Sequence, residues 1–192
     1  MNTPMLLILS GSAGVGKSTL VKILKEERGF EFSTSVTTRG PRPGEMNGVD
    51  YHFVSEERFS AFVAAGRFLE HATFANGKRY GTLTEVVIDG LERGKRLLLD
   101  IDVQGHAQIR QHSHGLVKSS LFSAFVIPPD MKTLRERILR RGGMSPGEME
   151  RRLAEAPKEM ARADEYDEIL VNGDLGVMRL DLLRMVDRRL RT

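Results

Sequence analysis

Cysteine is absent from the 192 residues. Its absence excludes disulfide frameworks, thiolate metal sites and cysteine nucleophiles together, and fits a reducing interior, so a cytoplasmic location is expected. Long apolar runs are lacking too. None approaches the roughly 20 residues a bilayer span needs, and Met1 to Met5 has neither the basic flank nor the cleavage site of a signal peptide. Neither a membrane nor a secreted protein is expected. Charge of one sign does not dominate: 29 Lys and Arg stand against 26 Asp and Glu, for a formal net charge of +3. Such a mixed surface calls for no nucleic-acid partner. The basic clusters from Arg39 to Arg42 and from Lys132 to Arg152 suit local handling of phosphate instead.

What is present is a globular composition, 40% hydrophobic and 29% charged, in a chain whose length predicts one domain with room for small insertions. Met5-Leu-Leu-Ile-Leu-Ser10 reads as a strand buried on both faces of a parallel sheet. A glycine-rich turn follows, then a helix from Ser18 that Gly29 stops. The next strand is expected around Glu31 to Val36, ahead of Thr37 to Glu45, where prolines and glycines forbid regular structure. Tyr51 to Thr82 mixes short strands with a helix near Glu56 to Ala65, so about 36–83 reads as an inserted α+β subdomain.

Strand and helix then alternate again. A helix near Thr84 to Arg93, the run Leu97 to Asp102, a helix from Val103, the run Ala124 to Pro128, a helix over Met131 to Arg141 and a strand over Glu168 to Asn172 predict an α/β fold, a parallel sheet with crossover helices. Leu175, Met178, Leu182, Met185 and Val186 give a final helix its apolar stripe. The core is expected at about 1–35, 84–141 and 165–192. His106, His112 and His114 lie in a Gly- and Ser-rich stretch without cysteine and read as a solvated loop rather than a metal cluster.

Gly11-Ser-Ala-Gly-Val-Gly-Lys-Ser18 matches G-x-x-x-x-G-K-S/T in full, between a buried strand and a helix start. Glycines let the backbone N–H groups of such a loop turn inward as an anion nest, and the helix N-terminus adds partial positive charge. Gly11, Ser12, Ala13, Gly14, Val15, Gly16, Lys17, Ser18 and Thr19 are therefore the expected ATP-binding segment, with Lys17 on the β- and γ-phosphates and the Ser18 hydroxyl on Mg²⁺. Asp100 and Asp102, spaced by two after three leucines, are expected to face one way at the carboxyl end of a strand. Asp100 is the expected second partner of Mg²⁺. For Asp102 the competing role is to cap the helix that starts at Val103.

Four segments add a resemblance. Ser35-Val-Thr-Thr-Arg-Gly-Pro-Arg-Pro-Gly-Glu-Met-Asn-Gly-Val-Asp-Tyr51, Phe68-Leu-Glu-His-Ala72, Tyr80-Gly-Thr82 and Leu99-Asp-Ile-Asp-Val-Gln-Gly105 are closely similar to the guanylate kinase family. The resemblance runs from Met5 almost to the C-terminus. It implies a P-loop nucleoside monophosphate kinase fold, a GMP-binding subdomain at 36–83 and a helical lid at about 142–164. It implies that Arg39, Arg42, Tyr51 and Tyr80 hold the phosphate of GMP, that Ser35, Glu70, Thr82 and Asp102 read its guanine, and that Asn172 lies near the adenine of ATP. Arg137, Arg141 and Arg152 would neutralise the transferring phosphoryl group when the lid closes. Arginine's planar fork suits Arg39 and Arg42 to bidentate phosphate recognition.

The implied activity is transfer of the γ-phosphoryl group of ATP to GMP or dGMP, with Mg²⁺ and without a catalytic base, since the acceptor phosphate is already anionic. The partners are small molecules, and monomer and homo-oligomer are both compatible with the sequence. Two rivals weaken on the residues: scaffold-type binding modules of this family commonly have eroded phosphate loops, and a GTP-hydrolysing switch needs an Asn-Lys-x-Asp motif that is lacking here. A related kinase with another small phosphate acceptor is the remaining one. Departures from the family pattern include Ser12 for proline, Lys78-Arg79 as two added positive charges beside the GMP site, Gly173 for aspartate, and Pro157, expected to kink a lid helix.

Overall fold

The computed structural model describes residues 3–74, 77–141 and 145–191. In chain order the elements begin β1 (Met5–Ser10), α1 (Lys17–Arg28), β2 (Phe30–Phe32), β3 (Val36–Thr37), β4 (His52–Phe53), α2 (Glu56–Ala64), β5 (Phe68–Thr73), β6 (Arg79–Leu83) and α3 (Thr84–Glu92). They continue with β7 (Arg96–Asp100), α4 (Val103–Gln111), α5 (Gly115–Ser120), β8 (Leu121–Ile127), α6 (Met131–Arg141), α7 (Pro146–Met160), a 3-10 turn (Ala163–Glu165), β9 (Glu168–Val171) and α8 (Leu175–Leu190).

Five strands pair in parallel in the order β2-β7-β1-β8-β9. All six residues of β1 are buried, as a central strand covered on both faces requires. Alternation along it feeds two cores: Leu7 and Leu9 pack with Leu20, Leu24, Ile138 and Met178, while Leu6 and Ile8 pack with Val87, Leu91, Ile109 and Phe125. A second sheet, in the order β4-β3-β6-β5, occupies the chain between β2 and α3. Its β5–β6 pair is antiparallel, with an irregularity in register between Phe68 and Glu70. No helix among the described residues is long and apolar enough to cross a membrane.

The expected strand over Glu31 to Val36 is in fact two strands in different sheets. Phe32 pairs with Leu98 and Val36 with Gly81, so the chain changes sheet within three residues. The run ending at Asp102 stops as a strand at Asp100, because Asp102 is already the N-cap of α4. Leu175 is 54% exposed and leaves the α8 stripe to Met178, Leu182, Leu183, Met185 and Val186. Pro157 does not end α7, which continues to Met160; a proline this close to a C-terminus forfeits a single intrahelical bond.

His106 corrects the solvated-loop expectation. It lies on α4, 1% exposed, with its ring stacked 3.7 Å from that of Tyr166. Neither ring nitrogen has a hydrogen-bond partner among the described residues, and burial first, then Arg110, pulls the imidazole down to about 4. A neutral, stacked histidine is a packing group at physiological pH.

Candidate functional site

The loop between β1 and α1 turns through glycines because nothing else fits. Gly16 has φ +101°, and a Cβ there would lie 2.3 Å from Nδ2 of Asn172. Gly11 has φ +142°, with a Cβ position 2.3 Å from the Val126 carbonyl oxygen. The loop is thus laid directly on β8 and the end of β9. Ser12 and Val15 bury their side chains, and the Ser12 hydroxyl has no partner among the described residues. What this segment offers a ligand is backbone N–H groups and the N-terminus of α1, which Gly16 caps without a side-chain bond. Ala13 and Gly14 are half-buried; Ser18 and Thr19, in the first turn of α1, are exposed.

Lys17 Nζ donates to the Gly11 carbonyl and lies 3.7 Å from Oδ1 of Asp100, with its side chain 15% exposed. Asn172 is buried at 7% exposure, and its Nδ2 donates to the Val15 carbonyl at 2.6 Å. One N–H of that amide holds the loop. Arg137, on α6, also backs this region by donating to Asn172 O at 2.8 Å and, at 3.4 Å, to Val15 O and Gly173 O. Arg152 pairs with Glu148 at 2.7 Å, one turn away on α7. Arg141 ends α6; its side chain lies outside the described residues, as does the start of the expected lid at 142–144.

On the small sheet a second cluster forms. Glu70, on β5, is 5% exposed, and Thr82, directly opposite on β6, donates to its Oε1 at 2.6 Å. Burial first, with the nearby Asp102 carboxylate adding to it, pushes Glu70 up to about 7 against the opposing Thr82 bond. A Cβ at Gly105 would come 2.8 Å from Oε2 of Glu70, so α4 approaches the carboxylate as closely as glycine permits. Asp102 caps that helix, its Oδ1 accepting from the Gln104 N–H at 3.0 Å and the Gly105 N–H at 2.9 Å. Asp100 and Asp102 do not face one way, contrary to the expectation from strand alternation. Asp100 is directed to Lys17 while Asp102 has turned into the cap. Ser35 is half-buried beside β3, its carbonyl accepting from the His52 N–H at 2.9 Å.

The arginine loop differs from its expected form. Arg39 gives its fork to Glu45, with both bonds at 2.9 Å, while Nη1 also reaches Gly40 O at 2.8 Å and Nε reaches the Tyr80 hydroxyl at 3.2 Å. One N–H of five is left for a phosphate among the described residues, so Arg39 cannot offer the bidentate fork without releasing Glu45. Glu45 also accepts from the Arg42 N–H at 2.7 Å, and the Arg39 guanidinium holds its carboxyl below the usual range. The Arg42 side chain is exposed. Tyr51 and Tyr80 meet edge to face at 5.9 Å, with the Arg39 guanidinium 5.2 Å over the Tyr51 ring. Asp100, paired with Lys17, is among the charges that act on Tyr51 across the space between the Lys17 loop and the Arg39 cluster.

Arg79 turns away from that space. It bonds Ser60 Oγ at 2.8 Å and lies 4.4 Å over the Phe59 ring on α2, because alternation on β6 sends Arg79 and Tyr80 to opposite faces.

The family model described as guanylate kinase matches residues 3–189. The chain belongs to the guanylate kinase family. Among its relatives, the guanylate kinase of Alkalilimnicola ehrlichii is 43% identical over 178 residues, covering 92% of this chain and 85% of that one. The guanylate kinase of Streptomyces kasugaensis is 43% identical over 187 residues, covering 97% and 88%. A crystal structure of guanylate kinase from Anaplasma phagocytophilum superposes with a TM-score of 0.76 at 28% identity, covering all of this chain and 89% of that one.

Two polar residues of this guanylate kinase family member escaped the sequence reading. Glu45 carried a signal: it closes the Arg42-Pro-Gly-Glu45 turn, where Gly44 has φ +88°, and so can reach back to Arg39. Gln108, whose carboxamide bonds the backbone of His71, carried none, because its partner is 37 residues away on another element.

Proposed function

We propose that this chain transfers the γ-phosphoryl group of ATP to GMP or dGMP, giving ADP and GDP or dGDP. The observation that carries the acceptor choice is the Glu70 carboxylate, buried, bonded at one oxygen by Thr82 and within electrostatic reach of Asp102. Guanine presents N1–H and N2–H₂ as adjacent donors, and an ionised carboxylate accepts both. Adenine would set its N1 lone pair against that carboxylate, a mismatch between buried polar groups that rejects analogues by up to about 10⁴-fold. Ser35 and Thr82 would complete the base pocket. Arg39, Arg42, Tyr51 and Tyr80 would hold the acceptor phosphate.

ATP would lay its phosphates in the backbone nest of Gly11 to Gly16, with Lys17 on the β- and γ-groups. The residues present fit Mg²⁺. Ser18 is exposed in the first turn of α1 and Asp100 is partly exposed beside Lys17, two hard oxygen ligands of the kind that hold an ion still carrying water and phosphate oxygens. When bound, the ion would offset charge on the β- and γ-phosphates. The acceptor phosphate attacks without a base, so the chain's own part is alignment and charge neutralisation by Lys17 and by Arg137, Arg141 and Arg152. Purine nucleotide metabolism in the cytoplasm is the setting this reading implies.

A coupled ADP-release assay with GMP, dGMP, AMP, CMP and UMP tests it. Turnover confined to GMP and dGMP is expected; equal turnover with AMP would sink the acceptor assignment.

A further inference from the structure

The two carboxylates assigned to guanine belong to different parts of the fold, Glu70 to the small sheet and Asp102 to the end of the parallel sheet. They repel each other, so β5 must be tied to α4 for their separation to be fixed. A third residue makes the tie. Gln108 Nε2 donates to the His71 carbonyl at 2.9 Å, and the His71 N–H donates to Gln108 Oε1 at 3.0 Å. Both backbone groups of the residue next to Glu70 are thereby held by one side chain. β5 is an edge strand of its sheet, and a carboxamide, with one acceptor and two donors in a plane, imitates the peptide group of a missing neighbour strand.

The helix side of the clamp is equally specific. Asp102, Gly105 and Gln108 recur at intervals of three, placing them along one face from the cap of α4 into its body. Gly105 is where a Cβ would strike Glu70 Oε2, and the Gly105 N–H is one of the two that fix Asp102. One helix face therefore caps with the first carboxylate, makes room for the second and ties down the second one's backbone.

We propose that Gln108 is a positioning residue for base recognition, pinning the edge of β5 to α4 so that Glu70 and Asp102 meet guanine at a fixed spacing. This rests on the assignment of Glu70 to guanine given above. Gln108 touches no substrate. Its effect falls on discrimination, because a loosened β5 lets Glu70 drift from the N2 amino group while the phosphate loop stays as it is.

The test compares KM and kcat for GMP and for IMP, which lacks the 2-amino group, in the wild type, Gln108→Ala, Gln108→Met and Glu70→Gln. Gln108→Met keeps the bulk of the side chain without either hydrogen bond, and so reports even if the alanine variant fails to fold. The expected result for Gln108→Met is a rise of about tenfold in KM for GMP, a GMP to IMP preference narrowed severalfold, and kcat and the KM for ATP within about twofold of wild type. Wild-type GMP kinetics, or a rise shared equally by GMP and IMP, would overturn the proposal. If Glu70→Gln moves the preference and the Gln108 variants do not, the clamp alone fails. If Glu70→Gln leaves the preference intact, the base assignment fails and takes the clamp's purpose with it.

Discussion

With Glu70 proposed as the guanine reader, its titration near neutrality makes base recognition pH-dependent. Its carboxyl is pushed from 4.5 to about 7, mainly by burial and then by Asp102. Guanine requires the ionised form, so the apparent KM for GMP carries a factor that grows as Glu70 takes up a proton. With half the carboxyls ionised at pH 7, that factor predicts a KM rising about fivefold at pH 6 and falling about twofold at pH 8. The phosphate of GMP also gains a proton in this range, so the profile is measured against Glu70→Gln, which shares the phosphate and lacks the carboxyl. The ratio of the two curves isolates Glu70. Steady-state kinetics from pH 5.5 to 8.5 at saturating ATP suffice, and parallel curves would refute the reasoning. Stability moves with the same group. A folded-state pKa raised above the unfolded one means the native protein holds the proton more tightly, so the contribution of Glu70 to stability is greatest below about 4.5 and is lost as pH rises through about 7. The full shift corresponds to roughly 3 kcal/mol. The difference between thermal melts of the ligand-free wild type and of Glu70→Gln should show that decline.

Lys17→Met should leave the melting temperature close to wild type and cut kcat by about two orders of magnitude, since the lost charge acts on the transferring phosphates; near-normal turnover in the ADP-release assay would remove the loop from the mechanism. Gly16→Ala should weaken ATP binding by at least about tenfold, because the added methyl collides with Asn172 at a positive φ; titration calorimetry with ATP reads this directly. Glu45→Ala should lower the KM for GMP severalfold while sparing that for ATP, because the Arg39 fork no longer has to be released from a carboxylate before it meets the phosphate; an unchanged or raised GMP constant would mean that Arg39 does not hold the phosphate by its fork.

How much of this was legible in the sequence depended on the range of the interaction. The phosphate loop was readable because eight contiguous residues carry it and β1 announces itself as a solid apolar run. The pair Glu70 and Thr82 could be named from short motifs, yet the raised pKa of Glu70 could not, since it comes from burial that α4 creates through Gly105. Asp102 was assigned a direction from strand periodicity, and that failed because the strand had ended two residues earlier. The stack of His106 on Tyr166 joins residues 60 apart, and polarity alone suggested solvent for that histidine. Arg39 was judged by its own chemistry, while its geometry is set by Glu45.

The small sheet leaves the parallel sheet at β2 and returns through α3 to β7, and these two strands are neighbours, Phe30 pairing with Arg96. In folding terms, that edge pairing closes a loop of about 65 residues, an entropic cost that a compact insert greatly reduces. The β5–β6 hairpin and α2 are local and can form early, bringing the ends of the insert together before β2 docks. The inserted small sheet would then act as the template for the last strand of the core, with β2 amides among the last to gain protection in pulsed hydrogen exchange.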